Sequence, residues 1–142
     1  MPPNENVSEE DWRNDDTVSD DEILWRVIHD GLYRPHPFLP EHFVASGSAY
    51  RKVELSVFIA SQTTQDRVLN RWPPGDSLVA FTAGYVRNEL GLIIVHDPKD
   101  TDPDPAHRLV GRNDHICMPK GIAKQLALKA EWVVFNHNPA VE

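Results

Sequence analysis

The sequence predicts a single small α+β domain, with a mixed or antiparallel sheet of about five strands and roughly two or three helices. Three observations lead there. Short apolar runs of strand length recur along the chain. Only a few segments between them carry helix-start signals. No internal repeat or coiled-coil heptad is present. A chain of 142 residues suits one domain. At that size about two thirds of the unfolded surface is buried, so neither a disulfide nor a metal is needed for folding.

Residues 23–29 (ILWRVIH) are rich in β-branched residues and Trp and read as a strand. A helix capped by Asp20 or Asp21 is the competing reading. Residues 34–40 carry Pro35, Pro37 and Pro40, which cannot donate ladder bonds, so they read as extended or turn-like chain. Pro40 to Phe43 has the composition to open one helical turn. Residues 52–59 begin with polar and apolar residues in alternation and form a strand. Thr63 or Thr64 caps a helix through Trp72, with Val68, Leu69 and Trp72 on its apolar side, and the Pro73-Pro74-Gly75-Asp76 turn ends it. Residues 78–90 admit two readings. One is a strand to Thr82 and then a short helix closed by Gly91; the other is a single helix. Residues 92–96 and 107–111 are strands joined by an Asp-Pro-rich loop, 97–106. Pro119 opens a helix to about Glu131, placing Ile122, Ala123, Leu126 and Ala130 on one face, and residues 132–135 form the last strand.

The formal charge is −8 and is unevenly placed. Residues 1–22 hold nine acids against Arg13 alone, and the rest of the chain is neutral, with thirteen of each sign. The expected organisation is an acidic disordered tail over 1–22, a domain over 23–136 and a short C-terminal tail over 137–142. The first segment has too few apolar residues to offset the entropy of ordering it. The alternatives are an acidic arm that docks on a basic partner surface through Trp12, or one that covers in cis the basic face formed by Arg108, Arg112, Lys120, Lys124 and Lys129. The single cysteine, Cys117, forms no internal disulfide, which suits a reducing cytoplasm. The start of the chain lacks the basic and apolar regions of a secretory signal, and no apolar run approaches bilayer length.

Two constellations draw attention in the second half. His96 and His107 flank the Asp-Pro loop. If the hairpin sets them opposite each other, their Cβ atoms lie about 4.5–5.5 Å apart. That would allow a shared metal with Asp97, Asp102 or Asp104, completed by His115 or Cys117. The spacing matches no zinc or iron motif, and ordinary hairpin residues or an acid/base role are the other readings. The second constellation is basic. Arg108, Arg112, Lys120 and Lys124, followed by Lys129, face Asp114 alone. Lys120 and Lys124 lie one helical turn apart. They are candidates for an anion or an acidic partner at the helix start. Nucleophile elbow, phosphate loop, dinucleotide fingerprint, HExxH and CxxC are all absent from the sequence.

Leu24-Trp25-Arg26-Val27-Ile28, followed by Glu54-Leu55-Ser56-Val57, resembles the small bacterial ADP-ribosyltransferase-like toxins of the RES type. In that family an Arg, a Glu and a Ser define the NAD pocket, so the resemblance implies an NAD site at Arg26 and Ser56; the order and spacing of the family's Glu are not matched here. A broader resemblance spans residues 24–135. It rests on Leu55-Ser56-Val57, Thr82-Ala83-Gly84 with Arg87, His96-Asp97-Pro98, Pro105-Ala106-His107, Val110-Gly111, and Leu126-Ala127 with Trp132-Val133. It is to a loose group of small soluble bacterial proteins, and it implies a domain without a reaction.

The absence of a catalytic motif and the polarised charge favour a small cytoplasmic, non-enzymatic protein acting through a protein partner. Its contacts are expected around the Asp-Pro loop and the basic helix, with no cofactor, nucleic acid or membrane. The alternative is a small enzyme, either metal-dependent at His96 and His107 or NAD-dependent and ADP-ribosyltransferase-like.

Overall fold

The apolar runs singled out above all become strands of one sheet. A computed structural model describes residues 12–39, 41–70, 75–96 and 104–136. The elements are β1 (Ile23–Ile28), β2 (Tyr33–Pro35), β3 (Phe43–Ala45), β4 (Leu55–Ile59), α1 (Gln65–Leu69), β5 (Ser77–Thr82), β6 (Leu92–His96), β7 (His107–Arg112), α2 (Lys120–Lys129) and β8 (Glu131–Val134). Six strands pair in the order β6-β7-β4-β1-β5-β8, antiparallel throughout, and β2 pairs with β3 in a separate ribbon. The chain is a single α+β domain.

Local signals explain most boundaries. The Thr64 hydroxyl accepts the Arg67 N–H at 3.2 Å and starts α1. Residues 71–74, with Trp72, lie outside the described residues. Pro119 precedes α2, whose Ala123, Leu126 and Ala127 are buried. Residues 78–90 take the strand-then-helix form. Leu78, Val79 and Phe81 are buried between β1 and β8, where the sheet ladder outweighs helix propensity. A single π turn follows over Tyr85–Glu89, and Gly91 with φ of 67° ends it. Of the helical turn expected at Pro40 to Phe43, one turn bond is present, from His42 N–H to Leu39 O at 2.8 Å, and it does not extend to Phe43. Phe43 instead opens β3, pairing with Pro35 at the end of β2, and Pro40 lies outside the described residues. A proline at a ribbon end gives up one ladder bond and tolerates the pairing. The ribbon docks on β8 through Tyr33, Phe43, Trp132 and Phe135, and the Trp132 indole donates to Phe43 O at 2.9 Å.

The main core joins Leu24, Ile28, Leu55, Val57, Ile59, Leu78, Ile94 and Val110 to Met118 and Leu126, all almost fully buried. Each such side chain contributes about 1.5–3 kcal/mol by leaving water.

The acidic segment departs from expectation. Residues 12–22 are not a free tail; they lie along the sheet as a strap, while residues 1–11 and 137–142 fall outside the described residues. In the β6–β7 hairpin, Val95 faces Leu109 and Ile93 faces Gly111. Trp12 packs on that side and is 6% exposed. Gly111 leaves room for the indole: a Cβ there would sit 2.8 Å from Trp12 Cζ2 and 2.5 Å from Val53 O. The indole N–H donates to Arg112 O at 2.6 Å. On the open edge of β6, Asp15 N–H donates to Ile94 O and the Asn14 side-chain oxygen accepts Ile94 N–H. Arg87 gathers the strap by donating to Asn14 Oδ1, to the backbone carbonyls of Asp15 and Val18, and to Asp20 Oδ1. Composition weighed only the segment's own few apolar residues. What orders it is one indole in a slot and an arginine that takes four of its oxygens.

Gly111→Ala should therefore destabilise the fold by about 1–3 kcal/mol through overpacking. Urea denaturation reads this, and a wild-type midpoint would show that the indole and Val53 have room to move.

Candidate ligand cleft

β1 pairs with β5 along its whole length but with β4 at only two positions, Leu24 with Ile59 and Trp25 with Phe58. Beyond Trp25 the strands part, and Arg26 fills the divide. Its Nη1 donates to Ser56 O at 3.0 Å, and Nε and Nη2 donate to Ala49 O at 3.2 and 2.6 Å. The residue is 7% exposed. Among the described residues no carboxylate pairs with it, and its Cζ lies 5.7 Å from the centre of the Tyr50 ring. Burial pulls the guanidinium down to about 10 and pushes the Tyr50 phenol up. Buried charges are ordinarily paired, because desolvating an ion costs several kcal/mol. Here the positive charge meets carbonyl oxygens and a ring face.

The divide opens into a cleft of about 430 Å³ whose walls include Arg26, His29, Ser48, Lys52, Glu54 and Ser56. Ligand pockets run from about 300 to 1,000 Å³.

Two imidazole–carboxylate pairs bear on this cleft. His29 Nδ1 lies 2.9 Å from Asp76 Oδ2, and Asp76 Oδ1 accepts the Asp30 N–H at 2.9 Å. Asp76 is 8% exposed, whereas the His29 side chain is 55% exposed. In the second pair, Glu54 Oε2 lies 2.7 Å from His115 Nε2, and both side chains are nearly buried. The His115 ring stacks on Trp12, with centroids 4.1 Å apart and planes 15° apart. His115 has φ of 58°, uncommon for a residue with a Cβ. Trp12, His115 and Glu54 thus join the strap to the cleft wall.

No family model, curated protein or solved structure matches the chain.

The candidates from sequence are distributed unevenly. The β6–β7 hairpin forms, but His96 faces Arg108, and His107 faces Phe58 of β4. Successive strand residues point to opposite faces, so His96 shares a side with Arg108 and not with His107. His96 is exposed and His107 is buried, with its ring 5.3 Å from that of Phe58. The shared metal site at these two histidines is not formed, and Asp97 lies outside the described residues. No group of three or more potential ligands gathers among those described. The reason is a one-residue register difference, which composition does not encode.

The basic face is also divided. Arg108 points its Nε at Asp15 Oδ2, 3.0 Å away, with both side chains about nine-tenths buried. It also donates to the carbonyls of Pro105 and His107. Arg112 pairs with Asp114. Lys120 and Lys124 remain exposed on α2. Cys117 is exposed and His115 is turned to Glu54, so the two form no nucleophile pair. By contrast Arg26, Glu54 and Ser56 line one cleft. Sequence reading missed the His29–Asp76 pair because its partners are 47 residues apart and Asp76 looked like turn punctuation.

Burial pushes the Asp15 carboxyl up, but hydrogen bonds from Thr17 and the Arg108 charge outweigh it and hold the group below the ordinary carboxylate value. A depressed folded value stabilises above the unfolded value, about 3.9, and that stability is lost as pH falls through the folded one. Asp15→Asn should cost about 1.5–3 kcal/mol near neutral pH, as expected for hydrogen bonds to charged groups. The gap from wild type should shrink below about pH 4, where the native carboxyl also protonates. Urea denaturation at several pH values reads both, and a pH-independent gap would contradict the assignment.

Proposed function

We propose that this chain is an NAD-using, ADP-ribosyltransferase-like protein whose ligand occupies the cleft where β1 and β4 part. The observation that carries the reading is Arg26, a buried cation in a cleft wall with no carboxylate partner among the described residues. Such a group favours an anion, and a pyrophosphate is a suitable one. Lys52 lies on the same cleft and adds a second positive charge. Glu54 offers a carboxylate to a ribosyl centre that becomes positive as its bond to nicotinamide breaks. Ser56 supplies a hydroxyl for the ligand's polar edge. These are the residue types that the RES-type resemblance implies, drawn from segments about thirty residues apart into one cleft.

A second reading keeps a protein partner at α2. It is supported by Lys120 and Lys124, exposed on the helix that buries Ala123, Leu126 and Ala127. The Asp-Pro loop invoked with it lies largely outside the described residues. Exposed lysines in water are screened and contribute little each, so the cleft is preferred. A Lys120→Glu/Lys124→Glu variant that keeps salt-sensitive capture of its partner would exclude the second reading.

The test is calorimetric titration of NAD into the full chain. Saturable binding is expected, weakened about 10- to 100-fold in Arg26→Gln, which corresponds to losing a charged hydrogen-bond anchor. Glu54→Gln should bind NAD nearly as well while releasing nicotinamide far more slowly. Wild-type protein that shows no heat of NAD binding at millimolar concentration would overturn the reading.

A further inference from the structure

We propose that His29 is the proton-transfer residue of this cleft, taking the proton from the incoming nucleophile during ribosyl transfer, with Asp76 as its positioning residue. The inference rests on the NAD reading above and extends it to a residue pair that the resemblance does not include.

Three observations support it. First, His29 combines access with restraint. Its side chain is 55% exposed and forms part of the cleft wall, yet Nδ1 is held 2.9 Å from the Asp76 carboxylate. A carboxylate accepts only, so Nδ1 carries the hydrogen and Nε2 is the basic nitrogen of the neutral ring. The carboxylate behind the imidazole thus fixes the ring's tautomer and orientation.

Second, Asp76 is itself fixed. Its Oδ1 accepts the Asp30 N–H, and its carbonyl accepts from the Asn136 amide at 2.7 Å. Gly75, with φ of 110°, brings that loop so close that a Cβ would lie 3.2 Å from Asp30 Oδ2. The turn after β1 and the turn before β5 are therefore clasped together, and the ring orientation follows from the clasp.

Third, the other carboxylate–imidazole pair is built the opposite way round. Glu54 faces the cleft, and its histidine, His115, lies nearly buried beneath Trp12. One pair offers a carboxylate and the other an imidazole. Sites that need both charge stabilisation and proton transfer divide the work in this manner.

The step balances without an oxidant. The bond between ribosyl C1′ and the nicotinamide nitrogen breaks, and its electron pair leaves with neutral nicotinamide. An oxygen of water, or of an acceptor hydroxyl, bonds to C1′. Its proton passes to His29 Nε2 and then to solvent. With water the products are nicotinamide, ADP-ribose and a proton.

The experiment follows nicotinamide release from NAD by the full chain, alongside calorimetric NAD affinity. His29→Ala is expected to keep NAD affinity within about threefold and to lose about 10²- to 10⁴-fold in kcat, the range for one general acid–base group. Added imidazole should restore part of that rate, which a merely structural histidine would not show. Asp76→Asn should lower kcat with little change in KM. A His29→Ala protein with wild-type kcat would overturn the proposal and leave the NAD reading standing. So would kcat and affinity lost together without imidazole rescue. Wild-type protein that binds NAD and releases no nicotinamide would overturn this proposal and the transferase part of the reading beneath it. Failure of wild-type protein to bind NAD would overturn both.

Discussion

The feature on which the rest of the molecule turns is the guanidinium of Arg26 between two strands that have stopped pairing. A β-ladder that ends within a sheet leaves backbone groups in need of partners, and unpaired buried carbonyls cost about 1–3 kcal/mol each. Arg26 supplies donors to Ser56 O and Ala49 O. It holds β4 and the 47–49 turn at a fixed distance from β1, and so keeps the divide from closing. β1 can part from β4 because its other edge pairs with β5 at six positions, Ile23 to Ile28. The cleft therefore lies inside the sheet, with a continuous strand on each side, and its walls are positioned by ladders in place of loops.

The strap belongs to the same organisation one step further out. Residues 12–22 close the edge of β6, where Asn14 and Asp15 take the backbone groups of Ile94. Open strand edges invite pairing with other chains, and a charged segment bonded along one removes the opportunity. The strap also reaches the cleft, because Trp12 stacks on the imidazole that holds Glu54. Part of the asymmetry of charge along the sequence is thereby met within the molecule. Acidic residues of the strap meet Arg87 and Arg108, two of the arginines of an otherwise neutral body.

Much of the fold was legible because it depends on local pattern. Five of the sheet strands and the Pro119 helix start follow from residue type and period, whereas the strand at 77–82 with its Gly91 stop and the Thr64 cap were each one of two open readings. The β2–β3 ribbon was hidden by its prolines, whose usual meaning is the absence of a ladder. The candidate site was legible only in pieces. Arg26 and Ser56 could be named, but Glu54 could not be secured, and nothing local says that β1 and β4 separate after Trp25 and Phe58. His29 with Asp76 and Glu54 with His115 are pairs 47 and 61 residues apart, set by topology. His96 and His107 failed for a related reason. The hairpin was foreseen, but its register is set by the strand on the far side, where His107 faces Phe58.

The choice between cleft and basic helix rests on where a charge is solvated. On α2, Lys120 and Lys124 stand in water, where a unit charge 4 Å from its opposite is worth only about 1 kcal/mol and salt reduces it further. Arg26 has already lost its water, and carbonyl dipoles with a ring face replace only part of it. An anion entering the cleft meets a cation whose desolvation the fold has already met, so the attraction is offset by the ligand's desolvation alone. The same argument explains why Arg108 is a poor candidate despite its prominence in the sequence. Its burial is matched by Asp15, a carboxylate equally withdrawn from solvent. Of these two withdrawn arginines, only the one at the strand divide lacks a counter-charge from the described chain, and it lies where a ligand can supply one.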